Sequence, residues 1–298
     1  MKPDSSYIVI SPVRNEVANI GATIESMKAQ TVLPIAWVIV DDGSTDGMVE
    51  LIRERTLGCD WIRLITLADR GYYDLSGGGE IKAFYRGYRT VSHLGFAYLS
   101  KLDGDISFGN DYYERLLREF TRDPRLGVAS GSVYYQGNGL TLEKAYRFHV
   151  RGAARVYRRT CWEEMGGTPE GLGWDAADVY QARMLGWRTE GFEHIPMIHH
   201  VKTWTKGGLL KGRMRAGKID YVIGSHPLFV LLKVARESVR RPLVVGALFV
   251  LLGYLKAAAS RESRVGSACL RSYIKRDQAR RILAAFRASP RSWAGSRP

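Results

Sequence analysis

Over its first two hundred residues the chain alternates between two kinds of segment. Short, unbroken apolar runs give way to stretches whose apolar residues recur every three or four positions. YIVISPV (Tyr7–Val13) is rich in β-branched residues and predicts a strand that Pro12 helps to close. In the following NEVANIGATIESMKAQ, Val17, Ile20, Ile24 and Met27 fall on one face of a helix. IAWVIVDDGSTDG (Ile35–Gly47) reads as a second strand ending in a polar turn, where Ser44, Thr45 or Asp46 can cap a helix over MVELIRERT. WIRLITL predicts a third strand, GGGEIKAFYRGYRTVSHLG a glycine loop opening a helix, and FAYLSKL a fourth strand. DYYERLLREFTRDP is a helix closed by Pro124, and GVASGSVYYQGN is again β-rich. DAADVYQARMLGW (Asp175–Trp187) is helical, and RTEGFEHIPMIHH returns as a strand ending at His199-His200. Strands alternating with helices predict an α/β fold, a mostly parallel sheet with helices on both faces.

The pattern changes near residue 201. Residues 1–201 hold 23 Lys and Arg against 26 Asp and Glu, whereas 202–241 hold 10 against 2 and 261–298 again 10 against 2. The net charge of +14 over 298 residues therefore belongs to the C-terminal third. This predicts a domain over 1–201 and a basic region over 202–298, with a frayed Arg/Ser-rich end at about 287–298. Between the basic blocks lies an apolar stretch, Pro242–Ser260, and upstream, within the first block, lies another, Tyr221–Ala235, interrupted by His226-Pro227. The uncharged part of Pro242–Ser260, Pro242–Leu255, has 14 residues, short of the roughly 20 a spanning helix needs. Two alternatives fit: core helices of a small helical subdomain, or interfacial helices anchored by Lys and Arg on an anionic membrane surface. So much uncharged apolar surface does not suit a nucleic-acid partner. Cys59, Cys161 and Cys269 lie far apart and form no metal or disulfide spacing, which suits a reducing compartment. The start of the chain runs directly into a strand without a secretory pattern. The expected location is cytoplasmic, peripheral on or shallowly inserted in the inner face of the cell membrane.

Three polar clusters follow predicted strand ends: Pro12–Glu16, Asp41–Asp46 and Asp103–Asp105. In an open α/β sheet ligands bind beyond the carboxyl ends of the strands, so the three are expected on one rim. The D-x-D of Asp103 and Asp105 suits Mg²⁺ or Mn²⁺ bound together with a diphosphate, whose oxygens complete the coordination. The small Gly104 between them permits close approach of backbone to a ligand.

SPVRNE, VIVDDGSTDG, KLDGDISF and GLGWDAADVYQARMLGW occur in the order and spacing of the family 2 glycosyltransferases, the inverting GT-A type with a Rossmann-like fold, over roughly residues 7–200. The resemblance implies that Pro12, Arg14 and Glu16 line the nucleotide base and ribose of a donor, and that Asp42 bonds the base. It implies Asp103 near ribose and metal, Asp105 as the principal metal ligand, and Lys82 as a residue that could face the donor phosphates. A histidine at the strand end can complete the metal site, and His200 is the choice of the pair. The catalytic base precedes the helix that ends in Gly186-Trp187, which points to Asp175. Trp174 stands where the family usually has Glu, and Asp178 one turn further on remains open as the alternative. The basic KTWTKGGLLKGRMRAGK that follows could close over the donor diphosphate or contact a phosphate-bearing acceptor. The Q-x-x-R-W of processive polysaccharide synthases is absent.

The implied reaction moves a sugar from a UDP- or GDP-linked donor to a lipid-linked or cell-envelope glycan acceptor with inversion, the base taking the acceptor proton. Two rival classes are a nucleotidyltransferase acting on sugar phosphates and a non-enzymatic nucleic-acid-binding protein. The N-terminal segment lacks the glycine-rich basic loop expected of the first, and neither D-x-D nor DDGSTDG is explained by the second.

Overall fold

A computed structural model of the chain describes residues 5–69, 71, 78–136, 140–143, 148–201, 208–239 and 243–287. They fall into two compact units, Met1–Lys202 and Thr203–Pro298. The basic segment 202–207, residues 240–242 and the end 288–298 lie outside the described residues.

The first unit is built on a nine-stranded sheet with helices on both faces. Strands β1 (Tyr7–Val13), β2 (Ala36–Asp41), β3 (Ile62–Thr66) and β4 (Tyr98–Leu102) pair in parallel, in the order β3-β2-β1-β4. β1 is buried along its whole length because its two faces meet two different cores. Tyr7 and Val9 point to a layer formed by α1 (Ile20–Lys28), α2 (Met48–Arg55) and α4 (Tyr112–Arg122). Ile8 and Ile10 point to α3 (Gly78–Val91), α5 (Arg159–Met165) and α6 (Trp174–Met184). Burial on both faces is why these strands read as unbroken apolar runs rather than alternating ones.

Beyond β4 the sheet becomes mixed. β8 (Ala154–Arg158) inserts antiparallel between β4 and β6 (Leu126–Gln136), and β9 (Arg188–His199) runs parallel to β6. β5 (Ile106–Phe108) closes the edge antiparallel to β9, and β7 (Leu140–Leu142) pairs with β6 off the main path. The parallel arrangement thus holds for the first four strands and gives way afterwards to mixed pairing, antiparallel except between β6 and β9. Two expected boundaries also move. Val17 lies outside α1 and is exposed, because its N–H bonds the Asp46 carboxylate at 3.0 Å and draws the segment toward the end of β2. α6 starts at Trp174 and stops at Met184, and Gly186, with φ of 92°, turns the chain into β9.

The second unit consists of α7 (Leu209–Val222), α8 (Pro227–Ser238), α9 (Leu243–Ala259) and α10 (Ala268–Arg287). His226-Pro227 divides the first apolar stretch as its sequence suggests. Proline opens α8, and the His226 ring accepts a bond from the Leu228 N–H at 3.2 Å. α9 buries its small residues Gly246, Ala247, Gly253 and Ala257 together with Val250. Gly253 lies so close to α7 that an added Cβ would stand 1.9 Å from the Met214 carbonyl oxygen. The reciprocal Cβ at Gly217 would stand 1.8 Å from that of Val250. Its larger residues Leu248, Leu252 and Leu255 occupy the opposite side and are exposed. Among the described residues no helix is long and apolar enough to cross a membrane.

The backbone contact at Gly253 yields a direct test. Gly253→Val must push α7 and α9 apart, at a cost on the order of 3 kcal/mol. Thermal unfolding followed by circular dichroism should show a helical transition lowered by roughly 12–15 °C for a unit of this size. An unchanged transition would show that the two helices do not meet at these glycines.

Candidate functional site

The carboxyl ends of β1, β2 and β4 meet at one edge of the sheet, and their loops are tied together. The Asp42 N–H donates to the Val13 carbonyl at 2.9 Å, the Asn15 N–H to the Ser44 hydroxyl at 2.9 Å, and the Thr45 N–H to the Asn15 side chain at 2.9 Å. Gly104 rests against the same loop. A Cβ there would lie 2.8 Å from Val13 Cγ1 and 3.6 Å from Glu16 Cβ, so a larger residue would have to move the Val13 side chain. From below, the buried Thr23 hydroxyl of α1 lies 2.9 and 2.8 Å from the carbonyl oxygens of Gly104 and Ile106. The three polar clusters expected on one rim are thereby brought together.

On the β1–β2 side, Arg14 bridges two loops. Its guanidinium donates to the Asp42 carbonyl at 2.9 Å and pairs with Asp69, beyond β3, at 2.7 Å. Pro12 is buried within β1, and Glu16 accepts a bond from the Asn19 amide at 3.0 Å. The two aspartates that end β2 differ in role. Asp41 is buried and accepts the Ser44 N–H at 2.9 Å, shaping the turn, whereas Asp42 is half-buried at the rim. Asp69 escaped the sequence reading because WIRLITLADR offers no motif around it. Lys82 stands on the exposed side of α3.

At the end of β4 the D-x-D carboxylates part. Asp103 pairs with the ammonium of Lys101, which also holds Glu80 of α3. Lys101 is buried; burial acts to lower its pKa, but the two carboxylates outweigh it and leave it raised. Burial pushes the Asp103 carboxyl up to about 7, with Lys101 opposing the rise and Glu80 and Asp105 adding to it. Asp105 faces β9 instead. Ile106 and His199 are register partners, which sets the His199 ring nitrogen 3.1 Å from the Asp105 carboxylate and stacks the ring on Tyr135 at 5.8 Å. Burial would lower the His199 pKa, yet its bond to Asp105 raises it overall. His200, the expected partner, meets Asp105 only through its backbone N–H at 3.0 Å, and its side chain is exposed. Neighbouring residues on a strand point to opposite faces, so one of the pair must turn away.

Among the described residues no three His, Cys, Asp or Glu side chains converge to hold a metal ion. Asp103, Asp105 and His200 therefore do not form a ready three-ligand set. Asp105 and His199 do offer a carboxylate oxygen and an imidazole nitrogen side by side. That pair suits a Mg²⁺ or Mn²⁺ ion whose remaining ligands come from a diphosphate and water.

Of the two candidate bases, Asp175 lies in the first turn of α6, which Gly173 opens with φ of 85°, and Asp178 lies one turn further on. Asp178 is fully enclosed. Arg155 Nη1 reaches its two oxygens at 2.6 and 2.5 Å, and the Tyr157 hydroxyl donates to it at 2.5 Å. Burial raises its pKa while Arg155 and Tyr157 oppose the rise. Asp175 is half-buried, and its carboxylate has no hydrogen-bond or ion-pair partner among the described residues. Its position relative to the D-x-D is fixed through β8: the Asp103 N–H donates to the Ala153 carbonyl at 2.7 Å. A Cβ at the adjacent Gly152 would sit 3.7 Å from Asp175 Cβ. Lys101 and Arg155 are further residues of this site that the motifs did not flag. Period two along YLSKLDGD places Lys101 and Asp103 on one face, a signal that was available.

Comparison with known proteins accords with this geometry. The family model described as glycosyl transferase family 2 matches residues 8–178. The poly-beta-1,6-N-acetyl-D-glucosamine synthase of Staphylococcus aureus (strain COL) is 21% identical over 243 residues, which cover 74% of this chain and 56% of that protein. The chain thus spans little more than half the length of the curated relatives it matches. Among solved structures, the mannosyltransferase PcManGT from Pyrobaculum calidifontis, in complex with GDP-Man and Mn²⁺, aligns with a TM-score of 0.55 at 16% identity. The alignment covers 98% of this chain and 85% of that one. S. aureus TarS 1-349 aligns at 0.52 and 14% identity, over 86% and 72% of the two chains. At such identities the structural likenesses speak for the fold, while the family match covers more than half of the sequence. The first unit is a glycosyltransferase domain of the GT-A fold, and the chain belongs to glycosyl transferase family 2.

Proposed function

We propose that the chain transfers a sugar with inversion from a UDP- or GDP-linked donor to a lipid-linked or cell-envelope glycan acceptor, using Asp175 as general base. The observation that supports this most is the contrast on α6: Asp178 is locked to Arg155 and Tyr157, whereas Asp175 stands half-buried with its carboxylate unengaged. A base must reach the acceptor hydroxyl and accept its proton, which an enclosed, ion-paired carboxylate is poorly placed to do. Family membership sets aside the nucleotidyltransferase and nucleic-acid-binding alternatives.

In this mechanism the rim formed by Arg14, Glu16 and Asp42 receives the nucleoside, with Asp42 bonding the base and Arg14 keeping the β2 and β3 loops in place. Asp105 and His199 would hold a divalent cation, which offsets negative charge on the departing diphosphate when bound. Asp103, engaged by Lys101, faces the ribose rather than serving as a full metal ligand. Asp175 then removes the acceptor proton as the hydroxyl attacks the anomeric carbon from the face opposite the diphosphate.

The second unit carries the acceptor side of the proposal. The exposed Leu248, Leu252 and Leu255 form an apolar stripe on α9, in a region with 21 Lys and Arg against 4 Asp and Glu over residues 202–298. Apolar surface flanked by cations suits a peripheral seat on an anionic membrane, where lipid-linked acceptors reside.

Three measurements test these assignments. Asp175→Asn should lower transfer by roughly 10²–10⁴-fold while donor binding with Mn²⁺, read by calorimetry, stays intact. Unchanged transfer would move the base elsewhere. Asp105→Ala should abolish the metal-dependent part of donor binding, and a variant that still responds to Mn²⁺ would remove Asp105 from the metal site. The full chain should sediment with phosphatidylglycerol-containing vesicles. Replacing Leu248, Leu252 and Leu255 by Glu should weaken that binding about tenfold or more. Equal sedimentation would exclude α9 as the contact.

A further inference from the structure

Lys101 and Arg155 are direct partners in the antiparallel β4–β8 ladder, and both side chains are buried. Like charges facing each other across a ladder repel, so both cations need compensation. Each receives it from a different part of the site. Lys101 is held by Asp103 of the D-x-D and Glu80 of α3; Arg155 is held by Asp178 of α6. Arg155 also donates to the backbone carbonyl of Asp175 at 2.9 Å. Both cations approach the same aromatic ring. The Lys101 ammonium stands 5.1 Å and the Arg155 guanidinium 5.5 Å from the centre of the Trp174 ring. Trp174 opens α6 immediately before Asp175, is buried, and occupies the place where the resemblance leads one to expect Glu.

Resting on the function proposed above, we infer that Lys101 is a positioning residue: through Trp174 and Asp103 it fixes the acceptor base Asp175 relative to the carboxylates that receive the donor. The path is short and continuous. Asp103 and Lys101 share a face of β4, Lys101 meets the ring of Trp174, and Trp174 adjoins Asp175. Buried cation–aromatic contacts have a definite geometry and strengthen away from water. Removal of the ammonium would therefore leave Asp103 without its cation and Trp174 with Arg155 as its one remaining cation partner, loosening both ends of the link. A base displaced by about 1 Å from its reacting partner loses on the order of 10²-fold in rate. Binding of the base by the β1 and β2 loops is left in place, and the donor loses at most the ribose contact of Asp103.

The experiment compares wild-type chain with Lys101→Met, Lys101→Arg, Trp174→Leu and the Lys101→Met/Trp174→Leu double variant. Turnover of UDP- and GDP-sugars is measured alongside hydrogen exchange of the amides at 174–178. Lys101→Met should lower kcat about 100-fold while donor KM rises no more than about tenfold through Asp103, so that the larger loss falls on the chemical step. Lys101→Arg should retain at least about tenfold more kcat than the Met variant, because the cation persists. The double variant should be no worse than the poorer single, since the two residues act through one contact. Exchange at 174–178 should quicken in Lys101→Met while that of β4 residues 98–100 does not. A kcat within about threefold of wild type, additive losses, Lys101→Arg no better than Met, or unaltered exchange at 174–178 would each overturn the inference. If Lys101→Met fails to fold, Trp174→Leu leaves no charge without its partner and decides alone. A wild-type chain that turns over no nucleotide sugar would defeat the proposed function, and exchange at 174–178 would then judge the positioning role by itself.

Discussion

The centre of the first unit is governed by two cations taken out of water, Lys101 and Arg155, opposite each other on β4 and β8. Removing such a charge from water costs several kcal/mol per ion, and an unmatched one is not tolerated. The chain meets the demand with Glu80, Asp103 and Asp178, which come from α3, the end of β4 and α6. Those elements are therefore bound to the sheet by charge as well as by apolar contact. Packing alone would let α6 slide or rotate by small amounts at little cost. A guanidinium reaching the two Asp178 oxygens while donating to the Asp175 carbonyl permits far less freedom.

How much of this could be read from the sequence follows from the range of the signals. β1, β2 and β4 announce themselves because they are buried on both faces, and the polar clusters at their ends are local features of a few residues. The shared rim follows from parallel pairing. The second half of the sheet gave no comparable signal. ARVYR, the whole of β8, carries Arg155 in its interior and so resembles an exposed segment, although it is buried between β4 and β6. β5 is three residues long and has no period of its own. The choice between His199 and His200 depended on the pairing of Ile106 with His199, a contact between residues distant in the chain. Arg155 and Asp178 likewise become partners only when β8 has taken its place, so the sequence left Asp175 and Asp178 as open alternatives.

The second unit shows a different balance. α9 is apolar all round, a pattern that suits either a core helix or one at a membrane surface. The structure divides its circumference. Gly253 meets α7 at backbone contact and the other small residues are buried, while the leucines remain outside. The small residues thus allow α9 to be held without using its large ones. Had the leucines supplied the packing against α7, the exposed side would have been left with residues too small to offer much apolar area to any surface.

The three carboxylate pairs of the first unit obey a related division, with one instructive departure. In Asp41-Asp42 and in Asp178 with Asp175, the deeper member is spent on structure, shaping a turn or neutralising a cation. The shallower member stands where a ligand could be met. Asp103-Asp105 does not sort by depth, for both carboxylates are engaged: Asp103 with Lys101, and Asp105 with His199. The difference has a physical root. Two anions one glycine apart repel unless each has its own positive or polar partner. Lys101 and His199, coming from opposite sides, let both carboxylates remain at one strand end. The lysine is fixed in its charge and serves as permanent structure. Under the proposed assignment the histidine would exchange its bond to Asp105 for a bond to a cation, which would make the side of the pair that faces β9 the side of ligand chemistry.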